Sequence, residues 1–486
     1  MQRIQVQGQR LIDEQGRERI FRGVNVKCGN EPEKYLSWLD EAFFQRSAAL
    51  GLQLLRLGVC WETFEPAPGE YDEEVLRKLD RIFGLAAQYG VYVFLDMHQD
   101  LYSSFGINAG DGAPVWACLT DGYKAKHSKF VWAEGYFWGK AVQRGFDHFW
   151  ENSPVHGRGI QDHYEALWQL LARRYGDHPA FFGFDFMNEP FPGTPGGRVF
   201  RKLVAKAARV ILISPTVKRA RFLKTYLNKK TRNYALDVLT PAVMAKVVQA
   251  GEKLIKQFDA EKYNPFTARM TKAVREVTSN GIVFVEQNYY SNIGVRHGVM
   301  PPEGEANACY SPHAYDFTVD TPAYAYANNA RAGFFFERAR EAQQRMNVPV
   351  IVGEWGGGGE GESFFPHIQY LLELFDSFHW SDTYFAYTEG LYDQPIMRLL
   401  SRPTPVAVNG VIKSHSQDWE SNVFTLEFTQ PAGADPALPT ELYLPSAYQS
   451  IEAGSARVEE ESIPHGDGRI LKLYFEAGEH KVVVKL

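Results

Sequence analysis

Short hydrophobic runs alternate with helix-like stretches along most of the chain. A continuous apolar run is typical of a strand buried on both faces, as in a parallel sheet covered by helices. Helical periodicity lies between several of the runs, at residues 39–51, 73–89 and 161–175. The eight runs are residues 20–26, 52–58, 92–98, 181–187, 282–286, 306–310, 348–352 and 384–387. This alternation predicts an α/β fold whose strands close into a (β/α)8 TIM barrel.

The pattern changes near residues 403–405. Beyond them, short runs of alternating polarity are separated by Pro, Gly and Asp turns, which predicts the antiparallel strands of a small β-sandwich. These runs are residues 423–428, 441–444, 470–475 and 482–486. A single barrel uses about 250 residues, more with insertions, so a chain of 486 residues has room for both. We predict a barrel domain over residues 1–402 and a C-terminal antiparallel β-sandwich domain over residues 403–486.

Two of the predicted barrel strands are followed by a glutamate. Asn188 and Glu189 follow the fourth run, which Pro190 ends because proline has no N–H for the sheet. Glu354 follows the seventh run. The carboxyl ends of barrel strands form the rim where active sites lie. Either glutamate alone could simply end a strand and cap a helix, but the pair favours catalysis.

Two carboxyl groups that face each other suit the cleavage of a glycosidic bond. One protonates the leaving oxygen, while the other attacks the anomeric carbon or activates water. Glu189, beside an amide that can bind a sugar hydroxyl, fits the acid/base, and Glu354, followed by Trp355, fits the nucleophile. Arg56, near the end of the second run, could hold a carboxylate ionised through charge-assisted hydrogen bonds.

Other residues of the predicted rim have two interpretations. His98 and His313 end the third and sixth strands, and each suits a structural hydrogen bond as well as a contact with substrate. Residues 101–160 are rich in Gly and aromatic residues without clear periodicity. Long loops in compact domains are often functional. We expect Trp138 and the other aromatic residues of this segment to shape a cleft and contact the substrate.

A strongly basic insert separates the fourth and fifth runs, at residues 195–257. From residue 198 to residue 256 there are 15 Lys and Arg against two acids, Asp237 and Glu252. Cations alternate with apolar residues in its first part, which predicts an amphipathic helix. One interpretation is a solvated helical excursion from the barrel. The other is a surface that contacts anionic membranes or micelles, which attract basic amphipathic helices.

Composition and charge restrict the remaining choices. A net charge of −6 favours a soluble protein and argues against nucleic acid as a partner. The cysteines lack metal spacing, and His98 with Asp100 is the only compact ligand-like cluster, so we expect no metal and no other cofactor. We expect a monomer. If Met1 is the native start, the absence of an apolar leader predicts a cytoplasmic protein; a leader removed earlier would make it secreted.

The ordered set of strand-end motifs resembles glycoside hydrolase family 5 and, more narrowly, its endoglycoceramidases. Asn188, Glu189 and Pro190 are only moderately specific by themselves, but the set runs through the whole barrel. Its stretches are residues 21–27, 56–59 with Trp61, 96–102, 112–116, 184–193, 311–315 and 352–356.

The resemblance implies hydrolysis, with retention, of the β-linkage that joins a glycan or a single hexose to ceramide. It implies that Glu189 is the acid/base, that Glu354 is the nucleophile, and that Asn188 binds the sugar 2-hydroxyl. It assigns supporting or sugar-binding roles to Lys27, Arg56, His98, Asp100, His313 and Tyr315. Tyr387 stands in the eighth strand where family members often carry a Trp platform, and we expect it to contact the sugar.

Three other functions compete with this interpretation. A β-glucosidase or endo-β-glucanase of the same family would act on soluble glycosides, and would lack an apolar groove leading from the glutamates to the surface. A catalytically silent carbohydrate- or lipid-binding protein is disfavoured because both glutamates are present. A metal hydrolase is disfavoured because the ligand-like residues are few.

Overall fold

The computed structural model describes residues 1–27, 36–104, 110–125, 132–213, 219–228, 232–319, 327–357 and 361–486. Within these ranges the strands are β1 (Ile4–Gln7), β2 (Arg10–Asp13), β3 (Glu18–Arg19), β4 (Arg22–Lys27), β5 (Leu54–Cys60), β6 (Tyr92–His98), β7 (Pro154–Val155), β8 (Arg158–Gly159), β9 (Phe181–Asp185), β10 (Ile282–Glu286), β11 (Ala308–Ser311), β12 (Ile351–Trp355), β13 (Ser381–Tyr384), β14 (Thr404–Ala407), β15 (Val411–Asp418), β16 (Val423–Gln430), β17 (Thr440–Leu444), β18 (Ser450–Glu452), β19 (Arg457–Ser462), β20 (Arg469–Tyr474) and β21 (Gly478–Lys485).

The α-helices are α1 (Glu41–Ala49), α2 (Trp61–Phe64), α3 (Glu73–Tyr89), α4 (Glu134–Trp138), α5 (Lys140–Trp150), α6 (Ile160–Tyr175), α7 (Thr194–Ile213), α8 (Arg219–Leu227), α9 (Pro241–Phe258), α10 (Asn264–Arg275), α11 (Asn329–Met346), α12 (Phe365–Phe378) and α13 (Met397–Leu400). Shorter 3₁₀ or π turns are Val115–Ala117, Arg232–Val238, Asp259–Tyr263, Tyr289–Ile293 and Leu391–Asp393.

Eight parallel strands form a closed barrel. They pair in the order β11–β10–β9–β6–β5–β4–β13–β12. The ring closes between β11 and β12, where the N–H of Tyr310 donates to the Pro349 carbonyl at 3.0 Å and the N–H of Gly353 donates to the Pro312 carbonyl at 3.1 Å. Nearly all residues of these strands are buried, which explains why they appear in the sequence as continuous apolar runs. The predicted (β/α)8 barrel is confirmed.

The last two barrel strands lie about three residues from their predicted positions. β12 begins after Pro349 rather than before it, so Glu354 lies within the strand and not beyond it. β13 precedes the predicted run because it contains buried polar residues. Two of them have specific partners, since Ser381 accepts a hydrogen bond from the Phe21 N–H at 2.9 Å and Asp382 pairs with Arg22 at 2.8 Å. A search for apolar runs passes over such a strand.

The C-terminal residues form the predicted β-sandwich. Two four-stranded sheets, β14–β17–β20–β19 and β15–β16–β21–β18, are antiparallel throughout. Apolar side chains of both sheets, such as Phe424 and Leu442, form a core separate from that of the barrel. A buried ion cluster joins the sandwich to the barrel, because Asp376 of α12 pairs with Arg22 of β4 at 2.7 Å and with Arg402 at 2.6 Å.

The basic insert is helical in its described part, as predicted. It contains α7, α8 and α9, and α7 packs against both α9 and α4. The ring of Phe200 on α7 stacks on the ring of Phe137 on α4, with 4.0 Å between centroids. Among the described residues, no helix is both long enough and apolar enough to cross a bilayer.

Candidate active site

The two predicted glutamates meet at the carboxyl end of the barrel. Glu354 lies on β12, and Glu189 lies four residues beyond the end of β9. One carboxylate oxygen of each, together with a ring nitrogen of His313, lie within 4.8 Å of one another. In glycosidases, carboxyl groups about 5–5.5 Å apart accompany retention, whereas inversion needs about 6.5–9.5 Å. The separation therefore fits retention.

A strained turn positions Glu189. Its φ of +42° lies in the left-handed region, which costs a non-glycine residue on the order of 1–3 kcal/mol. Two buried side chains hold this backbone in place. Glu286, at the end of β10, accepts the Glu189 N–H at 2.6 Å, and the Gln99 amide donates to the Asn188 carbonyl at 2.9 Å.

The environment of Glu189 suits a group that gives and takes a proton near neutral pH. Burial raises the pKa of Glu189 to about 7, against the opposing effect of a hydrogen bond from His313. His313 Nδ1 lies 3.1 Å from Glu189 Oε1, and the Asn292 amide donates to the same oxygen at 2.6 Å. Burial alone would lower the pKa of His313, but the carboxylates of Glu286 and Glu354 outweigh it and raise that pKa well above its ordinary value.

Two donors orient the carboxylate of Glu354. Arg56 Nη1 donates to Oε1 at 2.7 Å, and the Tyr315 hydroxyl donates to Oε2 at 3.1 Å. Arg56 is fully buried, and its charge is shared with carboxylates from three other strands. These pairs join its guanidinium to Asp96 at 3.1 Å, Asp185 at 3.1 Å and Glu286 at 2.7 Å. Arg56 therefore holds Glu354 directly and Glu189 through Glu286, which accepts the Glu189 N–H.

A second charged cluster lies beside the pair. Lys27 forms a short ion pair with Asp100 and a second pair with Asp111 at 3.0 Å. Burial raises the pKa of Asp100, but Lys27 and His98 outweigh it and bring that pKa down to about 2. Burial lowers the pKa of His98, yet Asp96, 2.6 Å from its Nδ1, brings that pKa up to about 10. Lys27, His98 and Asp100 line the cavity, as a role in sugar binding requires.

A cavity of about 770 Å³ is lined by both glutamates and by polar and apolar residues. The polar lining includes Asn188, Lys27, His98 and Asp100. The apolar lining includes Trp132, Ala133, Phe137, Tyr289, Ile293, Phe317 and Val319. Three of these residues form an apolar cluster, because the rings of Trp132 and Phe137 lie 6.5 Å and 6.0 Å from the ring of Tyr289.

Four of the predicted substrate contacts are not among the residues that line this cavity: Arg56, Trp138, His313 and Tyr387. Arg56 and His313 are buried and contact the two glutamates instead. Trp138 is 56% exposed and packs edge-on against Phe200, because the helical turn of α4 points its neighbour Phe137 into the cavity instead. Tyr387 packs against Phe43 with 4.8 Å between centroids, while Thr388 and the residues before Tyr387 line the cavity. Neither position supports a direct contact with substrate.

Several residues of the site were not predicted from the sequence. Glu286 ended a predicted strand, so a signal was available in the sequence. Asn292 gave none, because an isolated amide in a loop is indistinguishable from a surface residue. Gln99, Asp96 and Asp185 lie in stretches that carry the resemblance, but their roles become clear only from the contacts with Asn188 and Arg56.

The site brings together more candidate metal ligands than His98 and Asp100. Within the described residues, four groups of three lie at ligand spacing. Side-chain cations already contact a carboxylate in all four groups, because Arg56 pairs with Asp96, Asp185, Glu286 and Glu354 and Lys27 pairs with Asp100. One of these groups consists of His313 and the two glutamates, and His313 itself carries further positive charge.

A family model described as cellulase of glycosyl hydrolase family 5 matches residues 12–390. The chain belongs to glycosyl hydrolase family 5. A second model, for the C-terminal domain of family 5 enzymes, matches residues 402–484. The predicted family is therefore confirmed.

Known relatives resemble the chain over part of their length. The endoglycoceramidase of Cyanea nozakii is 31% identical over 216 residues, which cover 38% of this chain and 41% of that protein. The glucosylceramidase of Rhizopus delemar is 30% identical over 250 residues, which cover 40% of this chain and 36% of that protein. Each match thus spans less than half of the relative.

A solved structure matches the whole fold. Endo-glycoceramidase II from Rhodococcus sp., in its complex with ganglioside GM3, has a TM-score of 0.73. The superposition covers 99% of both chains at 23% sequence identity. This likeness shows that barrel and sandwich are shared.

Proposed function

We propose that this protein is a retaining β-glycosidase that cleaves the bond between sugar and ceramide in glycosphingolipids. One observation carries the proposal: the carboxyl groups of Glu189 and Glu354, with oxygens within 4.8 Å, lie in a cavity that is also lined by the apolar cluster of Trp132, Phe137 and Tyr289. The short separation favours retention. The relatives named endoglycoceramidase and glucosylceramidase support a glycolipid substrate.

The reaction proceeds in two displacements. Glu354 attacks the anomeric carbon, and Glu189 gives its proton to the departing ceramide oxygen, which leaves a glycosyl ester on Glu354. Glu189 then takes a proton from water, and that water attacks the anomeric carbon and frees the sugar. A pKa near 7 lets Glu189 act first as acid and then as base. Asn188, which lines the cavity beside Glu189, is placed to donate to the sugar 2-hydroxyl.

The cavity offers different groups to the two parts of the proposed substrate. Lys27 and Asp100 present charged groups to sugar hydroxyls. Trp132, Phe137 and Phe317 present apolar surface, which suits the alkyl chains of ceramide because burying apolar area is favourable. This apolar lining favours a lipid aglycone over the β-glucosidase and endo-β-glucanase alternatives.

We further propose that the basic insert contacts the membrane or micelle that holds the substrate. Exposed large apolar side chains are concentrated on α7 and α8: Val204, Leu212, Ile213, Leu223, Tyr226 and Leu227. Exposed cations flank them, including Arg209 and Lys224. Apolar side chains that enter the headgroup region and cations that attract anionic lipid are the two components of interfacial binding. The insert packs on α4, which borders the cavity.

An assay panel tests the proposed substrate. Purified protein is given glucosyl-, galactosyl-, lactosyl- and ganglioside-type ceramides in mixed micelles, and separately cello-oligosaccharides. Mass spectrometry identifies released ceramide and sugar, and proton NMR gives the initial anomeric configuration. We expect ceramide and a β-configured sugar. Cleavage of cello-oligosaccharides with every ceramide left intact would overturn the lipid assignment, and an α-configured first product would overturn retention.

A further inference from the structure

A series of buried hydrogen bonds runs from the loop after β10 to the carboxyl group of Glu189. We call it the donor chain, and its members in order are the N–H of Val299, His297, Tyr310, Gln287, Asn292 and Glu189. Each of these side chains is less than a tenth exposed. A buried polar series in which every member is satisfied holds its groups in one arrangement.

The first half of the donor chain has a fixed direction. The Val299 N–H can only donate, and it does so to His297 Nδ1 at 3.3 Å. The proton of this imidazole is therefore on Nε2, which lies 3.0 Å from the Tyr310 hydroxyl oxygen and donates to it. The hydroxyl hydrogen of Tyr310 in turn donates to Gln287 Oε1 in a short hydrogen bond.

The direction passes unchanged through two amides. Because Gln287 Oε1 accepts from Tyr310, its Nε2 faces the other way and donates to Asn292 Oδ1 at 2.9 Å. The same nitrogen donates to the His313 carbonyl at 2.8 Å. With Oδ1 occupied, Asn292 presents Nδ2 to Glu189 and donates to Oε1 at 2.6 Å. Reversing either amide would bring two acceptors or two donors together.

A neutral His297 is needed for this direction, and its surroundings keep it neutral. Burial lowers the pKa of His297 to about 3, and the nearby charges of Arg345 and Lys256 act in the same sense. Protonation would place a hydrogen on Nδ1 against the Val299 N–H. The hydrogen bonds of the donor chain therefore keep their direction at any pH well above 3.

We propose that the donor chain is a positioning system for the acid/base, with Asn292 as the residue that touches it and with Gln287, Tyr310 and His297 acting through Asn292. Among the described residues, both donors to the Glu189 carboxyl, Asn292 and His313, use Oε1. That leaves Oε2 as the oxygen that carries the proton to the leaving group. The inference rests on the proposed function, because it assigns a direction to that proton transfer.

The charged groups that face Glu189 are His313, Glu354 and Asp100, while Glu286 accepts its N–H. None of the four is a member of the donor chain, and only the backbone carbonyl of His313 contacts it, through Gln287, which every tested variant retains. A neutral donor removed from a carboxylate shifts its pKa upward, because hydrogen bonding to the charged form favours that form. A shift in the pKa of Glu189 after a substitution at a distant member of the donor chain therefore shows that the chain acts on Glu189.

The test compares three variants and a control. Asn292→Ala removes the last donor, Tyr310→Phe removes only a hydroxyl in the middle of the chain, and the double variant combines them. Tyr175→Phe is the matched control, since its buried hydroxyl donates to the Leu76 carbonyl at 3.0 Å and contacts no member of the chain. Isotope-edited infrared titration follows the Glu189 carboxyl directly, with Glu189→Gln identifying its band.

We expect Asn292→Ala to raise the titration midpoint of Glu189 by about one pH unit, the size of one hydrogen bond to a charged group. Tyr310→Phe should raise it by a smaller amount, and should add nothing in the Asn292→Ala background, because it acts through Asn292. The alkaline limb of kcat/KM should move with the midpoint, and kcat should fall more than KM rises. Tyr175→Phe should change none of these.

Equal, additive effects of Asn292→Ala and Tyr310→Phe, or no shift in either, would overturn the proposal. If Tyr310→Phe fails to fold, His297→Ala interrupts the chain at its first side chain and gives the same comparison. Because the infrared titration needs no turnover, a protein that releases no ceramide but shows the shifts would refute the proposed function and leave the donor chain standing. Ceramide release without the pKa shifts would support the proposed function and refute the donor chain.

Discussion

At the scale of single residues, Glu189 and Glu354 differ in environment although they are chemically identical. Glu189 is buried against a histidine and an amide, and its pKa is raised to about 7. Glu354 receives Arg56 and Tyr315 on its two oxygens. Two like groups in unlike surroundings can take opposite roles in one reaction. Their assignment can be tested separately.

Glu354→Gln is expected to abolish turnover, because an amide cannot form the glycosyl ester. Glu354→Ala should be rescued by azide, which attacks from the vacated side and gives a glycosyl azide of inverted configuration. Ceramide release and NMR of the azide product measure both. Glu337→Gln, an exposed change on α11, is the control and should turn over normally. Undiminished activity in Glu354→Gln would contradict the assignment.

The raised pKa of Glu189 predicts the alkaline limb of kcat/KM. A general acid must be protonated, so the rate should fall as pH rises through about 7. Glu189→Gln should show no such limb, and its kcat/KM should be lower by about 10²–10⁴-fold. The loss should be smaller for aryl glycosides whose leaving group needs no proton. A pH–rate profile measures it, and an alkaline limb that persists in the variant would belong to another group.

The same pKa has a consequence for stability. A carboxyl whose folded pKa exceeds its unfolded value binds more protons when folded, so stability falls as pH rises from 4.5 through about 7. Glu189→Gln removes this loss and should exceed the wild type in unfolding free energy by about 3 kcal/mol at pH 8. At pH 4.5 the two should be nearly equal.

Urea unfolding at both pH values checks this, with Glu18→Gln as a matched control. Burial also raises the pKa of Glu18 to about 7, but Glu18 lies at the sandwich, where it accepts the Ile412 N–H at 3.0 Å. It should reproduce the effect on stability and leave the pH–rate profile unchanged. A Glu189→Gln protein that is less stable at pH 8 would contradict the raised pKa.

At the scale of elements, the sequence predicts helix and strand bounds best where local hydrophobic periodicity alone determines them. The predicted helix over residues 73–89 coincides with α3, which Gly90 ends with a φ of +71°. The runs at 92–98 and 282–286 coincide with β6 and β10. The polar strand β13, the turn at Glu189 and the choice between Phe137 and Trp138 all depend on tertiary partners. Hydrophobic periodicity does not identify those partners. These details of the site could therefore be seen only in the structure.

The insert should matter for substrates at an interface. Replacing Leu212 and Leu227, which are 62% and 72% exposed, by Ser removes apolar surface without disturbing packing. We expect weaker binding to anionic vesicles and slower ceramide release from them, with a smaller effect on a soluble aryl glycoside. Vesicle sedimentation measures the binding. Val458→Ser on β19 is the control and should bind vesicles as the wild type does. Equal binding by the Leu212 and Leu227 variant and by this control would contradict the membrane proposal.

At the scale of the whole molecule, barrel and sandwich are joined by buried charge. Asp376 contacts Arg22 on a barrel strand and Arg402 before the first sandwich strand, and His415 of β15 lies 3.7 Å away. Removing one partner of a buried pair leaves a charge without compensation. The junction should therefore be sensitive to a change that leaves the active site untouched.

Asp376→Ala is expected to cost about 3–5 kcal/mol of unfolding free energy, because it leaves Arg402 buried without its ion-pair partner and Arg22 with Asp382 alone. Calorimetry measures the loss and shows whether the two domains then melt separately. Asp393→Asn, which breaks an exposed pair with Arg46, should leave the transition where it is. A transition unchanged in Asp376→Ala would contradict the junction's role.

Arg56 has a practical meaning for anyone who wishes to alter what this protein recognises. Its one guanidinium contacts acids from β6, β9, β10 and β12, so the same side chain joins four barrel strands and positions Glu354. Directed evolution aimed at a new head group should find accepted substitutions in the surrounding loops and almost none at Arg56 or its four acids, where a change would disturb the fold and the reaction together.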